Sequence, residues 1–148
     1  MLKLTRRIGE TIYIGDTVCL TVYDKLCYHV MLGVLAPPSI PVRLHGVPLR
    51  AAVLGDGAHF YLLTLLSQDH FTVGEAEVEV SFRNSYSGFL GLRNRLVKIG
   101  IEAPRWITVD REEVYVRKLL ESGRQPPDVT MSEWMLGANL SVSSRAAA

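Results

Sequence analysis

Three features of the 148-residue chain predict a mainly β, pseudo-symmetric single domain that closes on one C-terminal α-helix. Short apolar runs rich in Val, Ile, Leu and Tyr are separated by Gly, Asp and Pro, the pattern of antiparallel strands joined by turns. The chain also repeats itself. GVLAPPSIPV from Gly33 returns as GIEAPRWITV from Gly100, with a Gly, an Ala-Pro pair, a β-branched residue and a Val in the same order at a constant offset of 67. Only DREEVYVRKLLESG, from Asp110, carries helix signals from end to end.

The first series of strands is read over residues 2–7, 11–14, 18–23, 29–35 and 40–42, punctuated by Gly9, Gly15-Asp16, Asp24-Lys25 and Ala36-Pro37-Pro38. Gly46, Pro48, Gly55 and Gly57 then interrupt regular structure, so residues 46–58 read as a linker with one helical turn over 49–54. The second series begins with YLLTLL at Tyr61, offset by 59 from the first run (Thr5 to Thr64), and Thr72-Val73-Gly74-Glu75 echoes Tyr13-Ile14-Gly15-Asp16. Growth of the offset from 59 to 67 assigns the second copy eight extra residues. One is placed near Ala76 and the rest in RNSYSGFLGLRNR, residues 83–95, a solvated loop with three arginines. A unit of about 50 residues cannot bury a core alone, so each copy must pack against its sister. The organisation is unit 1 over 1–45, the linker 46–58, unit 2 with its helix over 59–123 and a tail over 124–148.

The helix is expected over 111–122. Asp110 and Glu113 have capping-box spacing and acids fill the first turn. Val114, Tyr115, Leu119 and Leu120 supply an apolar side, Arg117 and Lys118 sit near the end, and Gly123 suits the position after the cap. Two prolines mark 124–128 as a connector. MSEWMLGANL from Met131 reads as a short amphipathic segment, and residues 141–148 as a frayed end.

A hydrophobic content of 48% is enough for a core and argues against disorder. A formal charge of +1 excludes a histone-like polycation yet leaves room for a local basic patch. Cys19 and Cys27 lack CxxC spacing and read as thiols of a reducing compartment. The charged N-terminus MLKLTRRIGE does not suit a signal peptide, and no apolar run approaches the length of a membrane span, so the expected location is cytoplasmic.

The opening MLKLTRRIGETIYIGD, followed by GVLAP, resembles the carbon storage regulator (CsrA/Rsm) family of small bacterial RNA-binding proteins that control translation. APRWITVDREEVYVRKL is similar to the same family's last strand and C-terminal helix. Members are intertwined homodimers in which strands one and five of each protomer pair with the central strands of the other. The resemblance therefore implies two intertwined five-stranded CsrA-like units in one β-sandwich or barrel-like fold, a covalent pseudo-dimer. It also implies RNA sites for GGA in hairpin loops, each built from strand one of one unit and strand five of the other.

On that basis the RNA-binding residues are Leu4, Thr5, Arg6, Arg7, Ala103, Pro104, Arg105, Ile107, Val109, Asp110 and Arg111. Unit 1 keeps the basic pair Arg6-Arg7 but has Leu44 where the arginine after strand five would stand. Unit 2 keeps Arg111 but has Leu65-Leu66 in place of the basic pair. Sites formed across units leave one complete and one empty. Strand alternation sets Lys3, Thr5 and Arg7 on one side and Arg6 on the other with Leu2 and Leu4. Arg111 offers a planar fork for guanine or phosphate. In the second copy Lys3, Thr5 and Arg7 become Leu62, Thr64 and Leu66, an apolar strip with Leu44 beside it. This strip docks the tail through Met131, Trp134, Met135 and Leu136, or docks a second molecule, or extends the core.

His29, His45, His59 and His70 lie in different elements without partners at metal-ligand spacing, and contiguous Ser67-Gln68-Asp69-His70 cannot form a triad. No phosphate-binding glycine loop or paired catalytic carboxylate appears, so neither enzyme activity nor a cofactor is expected. The expected partners are mRNA leaders or small RNAs with GGA hairpin loops. The alternative is a module that binds a flagellar, secretion or regulatory protein, or itself, through the apolar face. No membrane partner is expected.

Overall fold

The computed structural model describes residues 1–83 and 96–124. The first half of the chain supplies β1 (Leu2–Arg6), β2 (Thr11–Ile14), β3 (Val18–Lys25), β4 (Val30–Ala36) and β5 (Val42–Leu44). The connection supplies β6 (Val47–Pro48) and β7 (Ala52–Val53). The second half supplies β8 (His59–Leu65), β9 (His70–Val73), β10 (Ala76–Ser81), β11 (Val97–Glu102), β12 (Val109–Arg111) and α1 (Glu112–Glu121). These strands form two six-stranded antiparallel sheets, ordered β1-β11-β10-β9-β5-β6 and β12-β2-β3-β4-β8-β7.

Each half thus lends its first and last strands to the other half's central three. β1 pairs with β11 and β5 with β9, while β8 pairs with β4 and β12 with β2. The register repeats the sequence offsets residue by residue. Lys3 faces Gly100 as Leu62 faces Gly33, and Arg111 faces Ile12 as Leu44 faces Phe71. The strand-entry turns repeat as well. Gly9 N donates to Val22 O and Gln68 N to Val80 O, both at 2.7 Å, with Gly9 and Gln68 both at positive φ.

The core lies between the sheets. Ile12, Leu20, Val22, Leu32 and Val34 from one sheet pack with Phe71, Val78, Val80, Ile99 and Ile101 from the other. Alternation fixes which residues enter it: in β8, Tyr61, Leu63 and Leu65 are buried while Leu62 and Thr64 face outward. Exchange makes this core one object, because neither half has a complete sheet without strands from the other.

Three local expectations are corrected. The helical turn expected over 49–54 is absent. Instead β6 extends β5, pairing Arg43 with Pro48, and β7 extends β8, pairing Ala52 with Phe60. Glycines at 46, 55 and 57 favour hairpins over a helix, and the open edges of β5 and β8 offer the hydrogen bonds. Near Ala76 the second copy is one residue shorter, not longer. Ala76 pairs with Val73 across a two-residue turn, whereas Val18 pairs with Ile14 across a three-residue turn. The excess is therefore nine residues, all between β10 and β11, as the offset rises from 58 (Val18 to Ala76) to 67 (Val30 to Val97).

The third concerns the helix start. The cap is Arg111, in extended conformation, with no side-chain cap bond; Asp110 lies in β12 and accepts from Lys118 Nζ at 3.0 Å. Continued pairing of β12 with β2 holds Asp110 in the strand, one position too early to cap. The other end follows the expectation. Gly123 has φ +79°, Gly123 N donates to Leu120 O at 3.1 Å and Arg124 N to Leu119 O at 2.9 Å, a Schellman closure. Leu120, assigned to the apolar side, is exposed, while Val114, Tyr115 and Leu119 are half-buried. Among the described residues no helix is long and apolar enough to cross a membrane.

Candidate nucleic-acid interface

β1 and β12 are edge strands of different sheets, and Leu2 of the one and Val109 of the other line a single groove. Arg6 joins them. Its Nη1 donates to Glu113 Oε1 of α1 at 3.0 Å and lies 3.5 Å from Thr11 O, and its Nε donates to Thr5 O at 3.1 Å. The Arg6 side chain is only 8% exposed, against 58% for Glu113. Alternation along β1 places Arg6 inward, as expected, and turns Lys3, Thr5 and Arg7 outward. A planar guanidinium meets several acceptors at once, so Arg6 ties the end of β1 to the start of α1.

The turn after β1 is held by reciprocal bonds. Arg7 N donates to Glu10 Oε1 at 2.7 Å and Glu10 N to Arg7 O at 3.0 Å. The Arg7 side chain is exposed, and Arg111, two residues before Glu113, is exposed as well. Arg105 and Lys3 are also outward, and among the described residues none of these four cations has a side-chain hydrogen bond or ion pair. Asp110, next to Arg111 in the chain, is paired with Lys118 at 3.0 Å.

At the other end of the two strands, Met1, Leu2, Ala103, Pro104, Arg105, Ile107 and Val109 line an open groove. The turn between β11 and β12 is closed by Ile107 N donating to Pro104 O at 3.0 Å. The face therefore runs from this turn to the Arg6–Glu113 junction. Leu4 is half-buried against the core and Thr5 is exposed between them. Of the eleven residues expected to bind RNA, Ala103, Pro104, Arg105, Ile107 and Val109 line this groove, Thr5, Arg7 and Arg111 are exposed, and Leu4 lies with Arg6 on the inner side of β1.

The helix behind the face is anchored by stacking of Tyr115 on Tyr13, ring centroids 3.9 Å apart and planes 8° apart. Burial, then the nearby Cys19 and Glu112, push the Tyr13 hydroxyl well above the ordinary tyrosine value. Burial pushes the Cys19 thiol from 9.0 up to about 12, opposed by its hydrogen bond with Tyr13.

The equivalent face of the other half is built from β5 and β8 and has different chemistry. Leu65, at the position of Arg6, is fully buried in the core, and Leu44, at the position of Arg111, is half-buried against it. Leu62 and Leu66 are 41% and 51% exposed. These two leucines therefore do not extend the core, whereas Leu44 does. Trp134 and the rest of the tail from residue 125, and the loop over 84–95, lie outside the described residues.

Sequence reasoning missed Trp106 in the Pro104 to Ile107 turn, which is 77% exposed. Its position within the repeat, where the first copy has Ser39, was the available signal.

A strand-exchanged β fold with the end of a basic edge strand tied to the start of a C-terminal helix defines the class, a small intertwined β fold formed here by one chain. The CsrA family profile, described as a global regulator protein family, matches residues 1–45. The translational regulator CsrA of Hydrogenovibrio crunogenus is 46% identical over 50 residues, 34% of this chain and 71% of that protein. The chain belongs to the CsrA family. No solved structure matches it.

Proposed function

We propose that this chain is a non-catalytic translational regulator that binds GGA-containing RNA at one composite site, formed by β1 of the first half and β12 of the second. The observation that supports the reading is the Arg6–Glu113 ion pair at 3.0 Å, between the residue before Arg7 and the residue two after Arg111. Arg7 and Lys3 suit phosphate, Arg111 suits a guanine edge or a phosphate, and the backbone of β12 offers polar groups to unstacked loop bases. Arg6 acts as a positioning residue beneath the face. Internal duplication supplies both copies of the fold, but only one pair of edges keeps its cations. A single site cannot bridge two GGA elements in one RNA, so the avidity available to a two-site dimer is absent.

The test is a gel shift with a GGA hairpin and a CCA control. Preference for GGA, with Arg7→Ala and Arg111→Ala each weakening binding at least tenfold, about 1–3 kcal/mol, supports the reading. Equal binding of both hairpins overturns it.

The exposed Leu62 and Leu66 favour a second reading, in which the β8 face receives a protein partner or a second copy. A concentration-dependent sedimentation coefficient that Leu62→Lys with Leu66→Lys abolishes supports self-association there.

A further inference from the structure

The turn that carries Arg105 and Trp106 has an exact counterpart in the first half, and the two differ where it matters. Ile107 N donates to Pro104 O at 3.0 Å, and Ile40 N donates to Pro37 O at 3.1 Å. The same backbone presents Arg105-Trp106 beside the cationic face and Pro38-Ser39 beside the leucine face. The aromatic residue therefore accompanies the arginines and is missing where they are missing.

Trp106 is also the most exposed large apolar side chain among the described residues, at 77%. Leaving an indole in water forgoes a large burial gain, and its turn is pinned, so the ring is presented and not adrift. Beside it, the groove, which Glu102 also lines, has apolar walls from Met1, Leu2, Ala103 and Pro104, and Arg105 gives a cation that has no side-chain partner among the described residues. An aromatic ring, an apolar cleft and a guanidinium are the components on which proteins stack unpaired bases and hold the adjoining phosphate.

Building on the RNA-binding reading above, we propose that Trp106 stacks on an unpaired base flanking the GGA, with Arg105 on its phosphate. This extends the footprint beyond the strand-edge site and gives the chain a preference for RNA whose GGA is followed or preceded by a free base. It recovers affinity for a molecule with only one site.

The experiment uses the full chain with Trp134→Phe, leaving Trp106 as the sole tryptophan, titrated with a GGA hairpin and with the same hairpin made abasic at each flanking position in turn. Trp106 fluorescence falls at saturation, and Trp106→Ala weakens binding about 5- to 100-fold while Trp106→Phe recovers most of the loss. One abasic RNA binds wild type and Trp106→Ala equally. The slope of affinity against salt stays the same, because no charge is removed. Unchanged fluorescence and affinity within twofold, with Arg111→Ala still impaired, overturns stacking and leaves the RNA reading intact. Failure of the unmodified chain to prefer GGA overturns both. If Trp106→Ala leaves RNA binding unchanged but dissociates a self-associated species, the ring serves a protein contact and the proposal is wrong.

Discussion

Arg6 shows how one residue can change role with its surroundings. By type and neighbourhood it reads as half of a basic RNA clamp, but strand alternation turns it inward, where Glu113, Thr5 O and Thr11 O receive it. Removing Glu113 strips an ionic partner from a guanidinium that is nearly inaccessible to water. Glu113→Ala is therefore expected to lower stability by about 1–3 kcal/mol, read as a lower urea midpoint. An unchanged midpoint shows that water replaces the carboxylate at no loss.

The two thiols are separable in the same way. Cys27 is exposed and Cys19 buried, both free, so one equivalent of a maleimide reagent reacts with the native protein and the second only after unfolding. The Cys19 thiol also gives stability a pH dependence. The folded state holds its proton more tightly than the unfolded chain, so this contribution is fully present below about pH 9 and is lost as pH rises through about 12. Cys19→Ala is expected to flatten that part of the urea-midpoint profile. Among the described residues the buried Tyr23 hydroxyl has no hydrogen-bond partner, so Tyr23→Phe is expected to be neutral or to raise the thermal midpoint.

At the scale of elements, the sequence reported types better than ends. The repeat located ten of the strands because burial imposes a period of two whatever the connections are. It could not show β6 and β7, each two residues long, since their pairing depends on open edges supplied by distant β5 and β8. The capping spacing of Asp110 and Glu113 was present, but tertiary pairing took both: Asp110 stays in the ladder with Tyr13 and Glu113 turns to Arg6. The helix end depended only on local chemistry and was legible. Gly123→Ala forces a side chain into φ +79° and is expected to cost about 1 kcal/mol, seen as weaker protection from hydrogen exchange in the last turn of α1. Equal protection in the variant indicates that the turn does not need the left-handed residue.

For the whole molecule, the intertwining was readable only through the family resemblance; no periodicity says which strand pairs with which. The sheet orders show the exchange, and the register reproduces both sequence offsets. The candidate residues could be named from the sequence because they cluster at two points of the chain, 4–7 and 103–111, where the family resemblance is carried. The function of the opposite face was not, because a leucine strip has the same pattern whether it is later covered or left open. In the structure Leu62 and Leu66 remain open while Leu44 and Leu65 join the core, so the two ends of one pseudo-symmetric body carry unlike surfaces.

That asymmetry is most directly tested by calorimetric titration of the full chain with a GGA hairpin. A single class of site saturating at one RNA per chain, lost in the Arg7→Ala, Arg111→Ala double variant, is the predicted result. Saturation at two RNAs per chain, or undiminished binding by the double variant, contradicts a lone site where the first half's β1 edge meets the second half's β12.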